Sequence, residues 1–505
     1  MRFLKKLLLW IGTIVLVIGL GGYGTFRFMN RTPPQLKEPN YYTYYQQQDT
    51  VPEGRVGVFV THLLIPEEME YTIWYTVAQK VLQYIPWPIN KLAASDRGLV
   101  LLDPDRYYEF EDFEPTRLVD PTGSETDLDG VPYVTKWRMG EVAWVPPSES
   151  LHLDHGYFLL TSRGSGMPTV SAKLVNKARH YYYAPGKASV QGTVPHEHGM
   201  RIIVSEAMNA IRARYGDVPW RWVNAENFGQ AREAMYSLLD ESVDTVILSA
   251  PGAIYSHHEE FNGGFRHAMQ YIEEWETANG KDIKVIMTRQ LGDFEATREP
   301  WVNMLRDRLD QLPAGADVKV AMSIHGMPWD RVPHEAWLEL SPGYVAGTQA
   351  ALEALLDSYD FGRTEVVQSQ DHFADSHNDP NGRYLSTNDA FWDGARDGYD
   401  YVINVPIEFF AENTDTLYYH AMANFENFPE YEVYETIDYP DWSVPYTREL
   451  VHDGTHLIYN GVPVGAYNEP LIRAYVAAID EVLAKSATLS RPPAEARVQA
   501  ADAGT

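Results

Sequence analysis

The chain has 505 residues, 45 % apolar and 22 % charged, a balance that excludes wholesale disorder and leaves room for roughly two to four units of ~100–200 residues. Acidic side chains number 70 against 41 basic, a net charge of −29, which argues against a nucleic-acid-binding face because phosphate binding needs clustered Lys and Arg. There is no cysteine, so disulfides, thiolate metal sites and cysteine nucleophiles are excluded.

Residues Leu7 to Phe26 carry no charge and follow Arg2, Lys5 and Lys6. As a helix they would span about 30 Å, the thickness of a hydrocarbon core. No small-residue cleavage site follows, so the segment reads as an uncleaved signal-anchor. Arg27, Arg31 and Lys37 nearly balance the positive-inside count, but the short basic N-terminus points to a single-pass inner-membrane anchor with the body in the periplasm. Pro33, Pro34 and the polar stretch Tyr41 to Thr50 read as a linker.

From there the chain alternates short apolar runs with amphipathic stretches, the signature of α/β layering with parallel sheets. Strands are expected at Val56–Thr61, Trp220–Val223, Thr245–Ala250, Ile283–Met287, Val318–Ile324, Thr364–Gln368 and Tyr401–Val405. Helices are expected at Ile203–Tyr215, Gly229–Leu239, Glu259–Trp275, Glu299–Leu312, Gly347–Asp357 and Asn388–Asp397. Residues Glu67 to His196 break this rhythm and read as an insertion with brief strands at Gly98–Leu102, Val142–Val145 and Tyr157–Thr161. It branches from just after the first strand and is expected to fold over or beside the cleft. The expected units are an anchor and linker over 1–36, a first half over 50–280 that holds the insertion, a second half over 281–485 and a frayed tail over 486–505.

Two pairs of segments are alike. DTVILSAP, ending at Pro251, matches DYVINVP, ending at Pro406, and GVFVTH, ending at His62, matches VAMSIH, ending at His325. This pattern predicts two Rossmann-like halves whose strand ends face one central cleft. A histidine directly after an apolar strand sits at the carboxyl edge of a parallel sheet, where such sheets bind ligands. His325 is therefore the first candidate, although a histidine satisfied by backbone at a strand end has the same pattern. Glu408, Glu412 and Asp415 follow the strand into Pro406 and bring three carboxylates to that rim. If a helix begins there, Glu412 and Asp415 stand at i and i+3 on one face, an arrangement that the helix dipole alone would also favour.

GAIYSHHEEF, after the matching strand of the first half, places Tyr255, His257, His258 and Glu260 towards the cleft, with His62 beside them. The candidate metal ligands are then His325, Asp415, His257, His258 and Glu260. The candidate substrate contacts are His62, Tyr255, Met327, Pro328 and Trp329. His152 with His155, and His196 with His198, lack the H-E-x-x-H spacing and read as surface residues of the insertion.

From Phe294 to Tyr418 the chain resembles the second half of ferrochelatase, which inserts ferrous iron into protoporphyrin. FEATREPWVNMLRDRLDQLP resembles the helix before the family's histidine strand, and SIHGMP resembles its S-A-H-S-L-P motif. VVQSQ resembles its W/Y-Q-S strand, and VPIEFFAENTDTLYYH resembles V-P-I-x-F-x-x-D-H-x-E-T-L-Y. The first half fits more loosely, through VGVFVTHLLIP and VDTVILSAP. The resemblance implies a chelatase-like fold and a lyase of haem biosynthesis that needs no cofactor. Its substrates would be a divalent metal, Fe2+ first, and a tetrapyrrole such as protoporphyrin. By position His325 matches the family's histidine and Asp415 its catalytic glutamate. Glu412 stands where the family has aspartate, Asn413 where it has histidine and Glu408 where it has a small residue. These departures leave a second reading open: a membrane-tethered protein that binds haem, another tetrapyrrole or a metal without turning it over.

Overall fold

The computed structural model describes residues 19–24, 41–47, 49–66, 142–145, 157–160, 194–225, 228–326, 336–371, 382, 385–413, 415–425, 427–430 and 443–486. In chain order the strands are β1 (Val56–His62), β2 (Val142–Val145), β3 (Tyr157–Leu160), β4 (Trp220–Asn224), β5 (Thr245–Ser249) and β6 (Lys284–Met287). They continue with β7 (Val318–Ile324), β8 (Thr364–Gln370), β9 (Leu385–Ser386), β10 (Tyr401–Pro406), β11 (Arg448–His452) and β12 (Thr455–Tyr459). One sheet runs β4-β1-β5-β6, parallel throughout. A second runs β11-β12-β10-β7-β8-β9, parallel except where β11 turns back on β12. β2 and β3 form a separate antiparallel pair.

The two parallel arrays share one topology. In each, the first strand (β1 or β7) lies between the second (β4 or β8) and the third (β5 or β10), and the fourth (β6 or β12) follows the third. The segments that look alike in sequence are thus the first and third strands of each half. β5 and β7 are buried along their whole length, and this is why they read as unbroken apolar runs instead of alternating ones. Helices Glu299–Leu309 and Trp337–Leu356 pack with β7 in the largest core, where Trp301, Tyr344 and Trp337 are fully buried. The last described helix, Glu469–Leu483, crosses back to the first half. It lies against helix His196–Tyr215, with an Arg214–Asp480 ion pair of 2.8 Å across the join.

Some expectations need correcting. The stretch read as a linker from Tyr41 contains a helical turn, Tyr42–Tyr45, that docks on the body. Tyr45 is buried against the rings of Tyr255 and Phe261, at 5.8 and 5.6 Å, because four tyrosines in five residues carry more apolar surface than a solvated tether needs. The helix expected from Gly347 starts at Trp337, before Pro342, not after it. The expected membrane span Leu7–Phe26 lies outside the described residues except for a helical stretch at 19–24, and among the described residues no helix is long and apolar enough to cross a membrane. Of the insertion, only β2, β3 and residues 194–196 are described, so Gly98–Leu102 and the insertion's position over the cleft lie outside the described residues.

Candidate functional site

The carboxyl ends of both sheets open on one cavity of about 80 Å³. Its wall takes His62 and Leu63 from the end of β1, Pro251 to Ile254 and Glu259 from beyond β5, and His325 from the end of β7. Glu408, Phe409, Phe410, Asn413 and Asp415 come from beyond β10, and His196 and Met200 from the first turns of helix His196–Tyr215. The described residues break off at Pro66 and resume at Val194 around β2 and β3, and Ile65 and His196, close to those two points, line the cavity.

His325 sits at the centre. Its Nδ1 is 2.7 Å from the carbonyl of Gly326, which can only accept, so the proton of the neutral ring is on Nδ1 and the lone pair is on Nε2. That lone pair faces Asp415, with Nε2 3.8 Å from Oδ2. The gap is too long for a hydrogen bond. Two ligands each ~2.1 Å from a shared ion would subtend about 130° across it, close to what a four-coordinate site accepts. Burial pushes the His325 pKa down, but Asp415, Glu259, Glu408 and the Gly326 carbonyl together outweigh it and hold the ring above the usual 6.5.

Glu408 holds this histidine from behind. One of its oxygens accepts from the backbone N–H of His325 and the other from the indole N–H of Trp337, both at 2.6 Å. Burial pushes its carboxyl up to about 7 even though Trp337 and His325 favour the ionised form. Asp415 is set by Asn413, whose Oδ1 accepts from the backbone of Asp415 at 2.8 Å and of Thr416 at 2.9 Å, while Thr416 Oγ1 accepts from the backbone of Asn413 at 2.9 Å. This reciprocal cap starts the helix at Asp415. It also gives Asn413 a structural task where the resembled family has a histidine.

Glu412 does not join the site. Residues 406–413 are not helical, so the i, i+3 spacing that would align it with Asp415 does not exist. Its carboxylate turns into the protein and accepts from Thr416 Oγ1 at 2.6 Å and Tyr459 Oη at 2.9 Å. Burial pushes it, too, up to about 7. It borders a separate cavity of about 520 Å³ with Ile202, Val464 and Asn468.

On the opposite wall, His62 Nδ1 lies 3.5 Å from Glu260 Oε1, and Glu260 is itself fixed by the backbone N–H of Ser256 at 2.8 Å. Glu260 therefore stands behind His62, not at the cavity surface. The neighbouring Glu259 takes the place in the wall that the sequence reading assigned to Glu260. His257 is buried away from the cavity. Its Nδ1 accepts from Ala336 at 2.8 Å and its ring packs on Tyr42 and Phe261. Tyr255 is buried at the end of β5, where its hydroxyl donates to the Ala250 carbonyl at 2.8 Å. Neither reaches the cleft, because the segment after β5 turns these side chains under the sheet edge. The His258 side chain and all of Met327, Pro328 and Trp329 lie outside the described residues.

His196, read as a surface residue, is 7 % exposed and lines the cavity. Its Nδ1 accepts from the backbone of Ile65 at 3.0 Å. Burial, helped by His62, lowers its pKa to about 3, so it stays neutral. His198, two residues on, is exposed. The sequence cue was a proline followed by histidine at the very point where helical periodicity resumes.

The fold and site together define an α/β protein of two parallel arrays with an acid-and-imidazole cleft between their carboxyl edges. No family model matches the chain, and no curated protein does. Among solved structures it is similar to SirB from Bacillus subtilis with Fe3+, at 8 % identity and a TM-score of 0.34, over 58 % of this chain and 94 % of that one. A complex of the TorS sensor domain with TorT in the absence of ligand gives 10 % identity and a TM-score of 0.19, over 41 % of this chain and 61 % of that one. Both scores are too low to establish a shared fold.

Proposed function

We propose that the cleft takes a divalent cation between His325 and Asp415 and passes it to a tetrapyrrole, a ferrochelatase-like metal insertion. The observation that carries this reading is the fixed tautomer of His325, whose Nε2 lone pair faces a carboxylate at ligand-to-ligand distance inside a half-buried cleft. Nitrogen and carboxylate oxygen suit first-row divalent ions. Metallation must also remove two pyrrole protons. Asp415 and the Nε2 of His325, once the metal has left, are acceptors in the cavity wall, and Glu408 holds the His325 backbone in register. Met200, Phe409 and Phe410 supply apolar wall for a macrocycle. In a cell the anchor read from Leu7–Phe26 would hold this cleft at a membrane.

One observation favours the second reading, a metal-binding protein without turnover. A cavity of about 80 Å³ accepts a cation with a few waters, whereas small-molecule sites run to ~300–1,000 Å³. A macrocycle must therefore dock at the mouth of the cavity or widen it. Purified protein supplied with porphyrin and Fe2+, Co2+ or Zn2+ separates the readings: multiple turnovers of metalloporphyrin support insertion, and stoichiometric metal uptake alone supports binding.

A further inference from the structure

We propose that His196 is a specificity-determining residue of this cleft, a fixed N–H donor that recognises a carboxylate of the ligand. The proposal rests on the metal-and-tetrapyrrole reading for the ligand's identity, and it selects the acidic tetrapyrroles among the candidates. The backbone N–H of Ile65 donates to Nδ1 of His196, so that nitrogen carries no proton and the neutral ring must carry it on Nε2. His196 thus has the tautomer opposite to that of His325, whose Nδ1 proton faces the Gly326 carbonyl. One ring presents a lone pair to the cavity and the other an N–H. A ring that presents N–H donates a hydrogen bond and does not ligate a cation.

The second observation is that this donor is unused. The side chain is more than nine-tenths buried and lines the cavity, and among the described residues nothing accepts from Nε2. Nε2 is reached from the cavity, so the N–H presented there is open to an acceptor supplied from outside. The third is its position. His196 opens the 20-residue helix that ends at Tyr215, and the residue before it is Pro195, which offers no side-chain cap. The N-terminus of that helix adds positive character to the same corner. Asp415 and Glu259 share the cavity, so a bare anion is disfavoured until a cation sits at His325. The ligand that satisfies both ends carries a metal-binding nitrogen and a carboxylate on one frame.

The test uses the full chain and two variants that divide the imidazole's tasks. His196→Asn keeps an acceptor near Nδ1 for Ile65 and loses the Nε2 donor. His196→Gln keeps a donor near Nε2 and loses the acceptor for Ile65. Binding of mesoporphyrin IX and of its dimethyl ester is measured for each in the presence of Zn2+. The wild type should prefer the diacid at least about tenfold, as a hydrogen bond to a charged group predicts. His196→Asn should bring the two ligands within about twofold, and His196→Gln should keep most of the preference. Equal binding of acid and ester by the wild type overturns the proposal. So does loss of the preference in His196→Gln but not in His196→Asn, which would mean that the ring serves only Ile65. A separate titration of 15N-histidine-labelled wild type with Zn2+ and acetate follows the imidazole N–H of His196. If that resonance shifts while no porphyrin binds, the tetrapyrrole reading falls and the carboxylate subsite stands. An unshifted resonance overturns the subsite whatever the porphyrins do.

Discussion

Replacing Glu408 by glutamine removes its charge and keeps its shape. The carboxyl is fully buried, and burial lifts it from 4.5 to about 7. An acid raised in the folded state contributes stability while protonated and withdraws it as pH rises through the folded value. The withdrawal starts near 4.5, the unfolded value, and is complete about one pH unit above 7. At ~1.36 kcal/mol per pKa unit, the loss amounts to about 3 kcal/mol. Glutamine does not titrate. Protonated Glu and Gln are near-isosteres, and each offers one good acceptor to the two N–H groups of His325 and Trp337. Wild type and Glu408→Gln should therefore have similar stability near about pH 4, and the variant should be the more stable by about 3 kcal/mol near pH 8. Urea unfolding of the metal-free proteins at half-unit pH steps measures the difference directly. A gap that does not move with pH, or that moves in favour of the wild type as pH rises, refutes the reasoning.

Three further outcomes are expected. A metal must displace any proton on His325, whose pKa lies above 6.5, so Co2+ affinity should rise about tenfold per pH unit through the acid range and level off only above that value. Spectroscopic Co2+ titrations at several pH values check it, and a plateau already reached at pH 6 contradicts it. Glu412→Gln should leave Co2+ affinity unchanged while altering unfolding free energy by about 1–3 kcal/mol, since the side chain is held by Thr416, Tyr459 and the backbone of Val462, away from His325; a large loss of affinity would return Glu412 to the site. The full chain should sediment with membranes, and protease should reach its body in intact spheroplasts, whereas protection would reverse the orientation read from Arg2, Lys5 and Lys6.

Much of the scaffold was legible because strand burial writes itself into sequence. β1 with β7, and β5 with β10, were matched by their apolar runs and terminal His or Pro, and they occupy equivalent places in the two sheets. The β11–β12 hairpin was not read, although Asp453 and Gly454, with φ of 48° and 91°, are the Asp-Gly turn that such hairpins use. The site was legible only in part. His325 and Asp415 follow from strand ends, but which way a carboxylate points after a strand depends on a few turn dihedrals. So Glu408 faces His325 and Glu412 faces Tyr459, four residues apart. Glu259 and Glu260 exchanged places for the same reason. His196 was hidden by sequence distance: more than a hundred residues separate it from His62, and only the fold brings the two rings to 6.4 Å.

The most direct measurement of the central claim is zinc insertion into mesoporphyrin by the wild type, His325→Ala, Asp415→Ala and Asp415→Glu, with bound Zn2+ counted in each. The His325–Asp415 gap of 3.8 Å is slightly wide for a tetrahedral ion with ligands at ~2.1 Å, which sets them about 3.4 Å apart, and the longer, more flexible glutamate side chain can close that difference. Turnover should vanish in both alanine variants together with tight metal binding, and Asp415→Glu should match or exceed the wild type. Metallation by both alanine variants at the wild-type rate would contradict the assignment of the site.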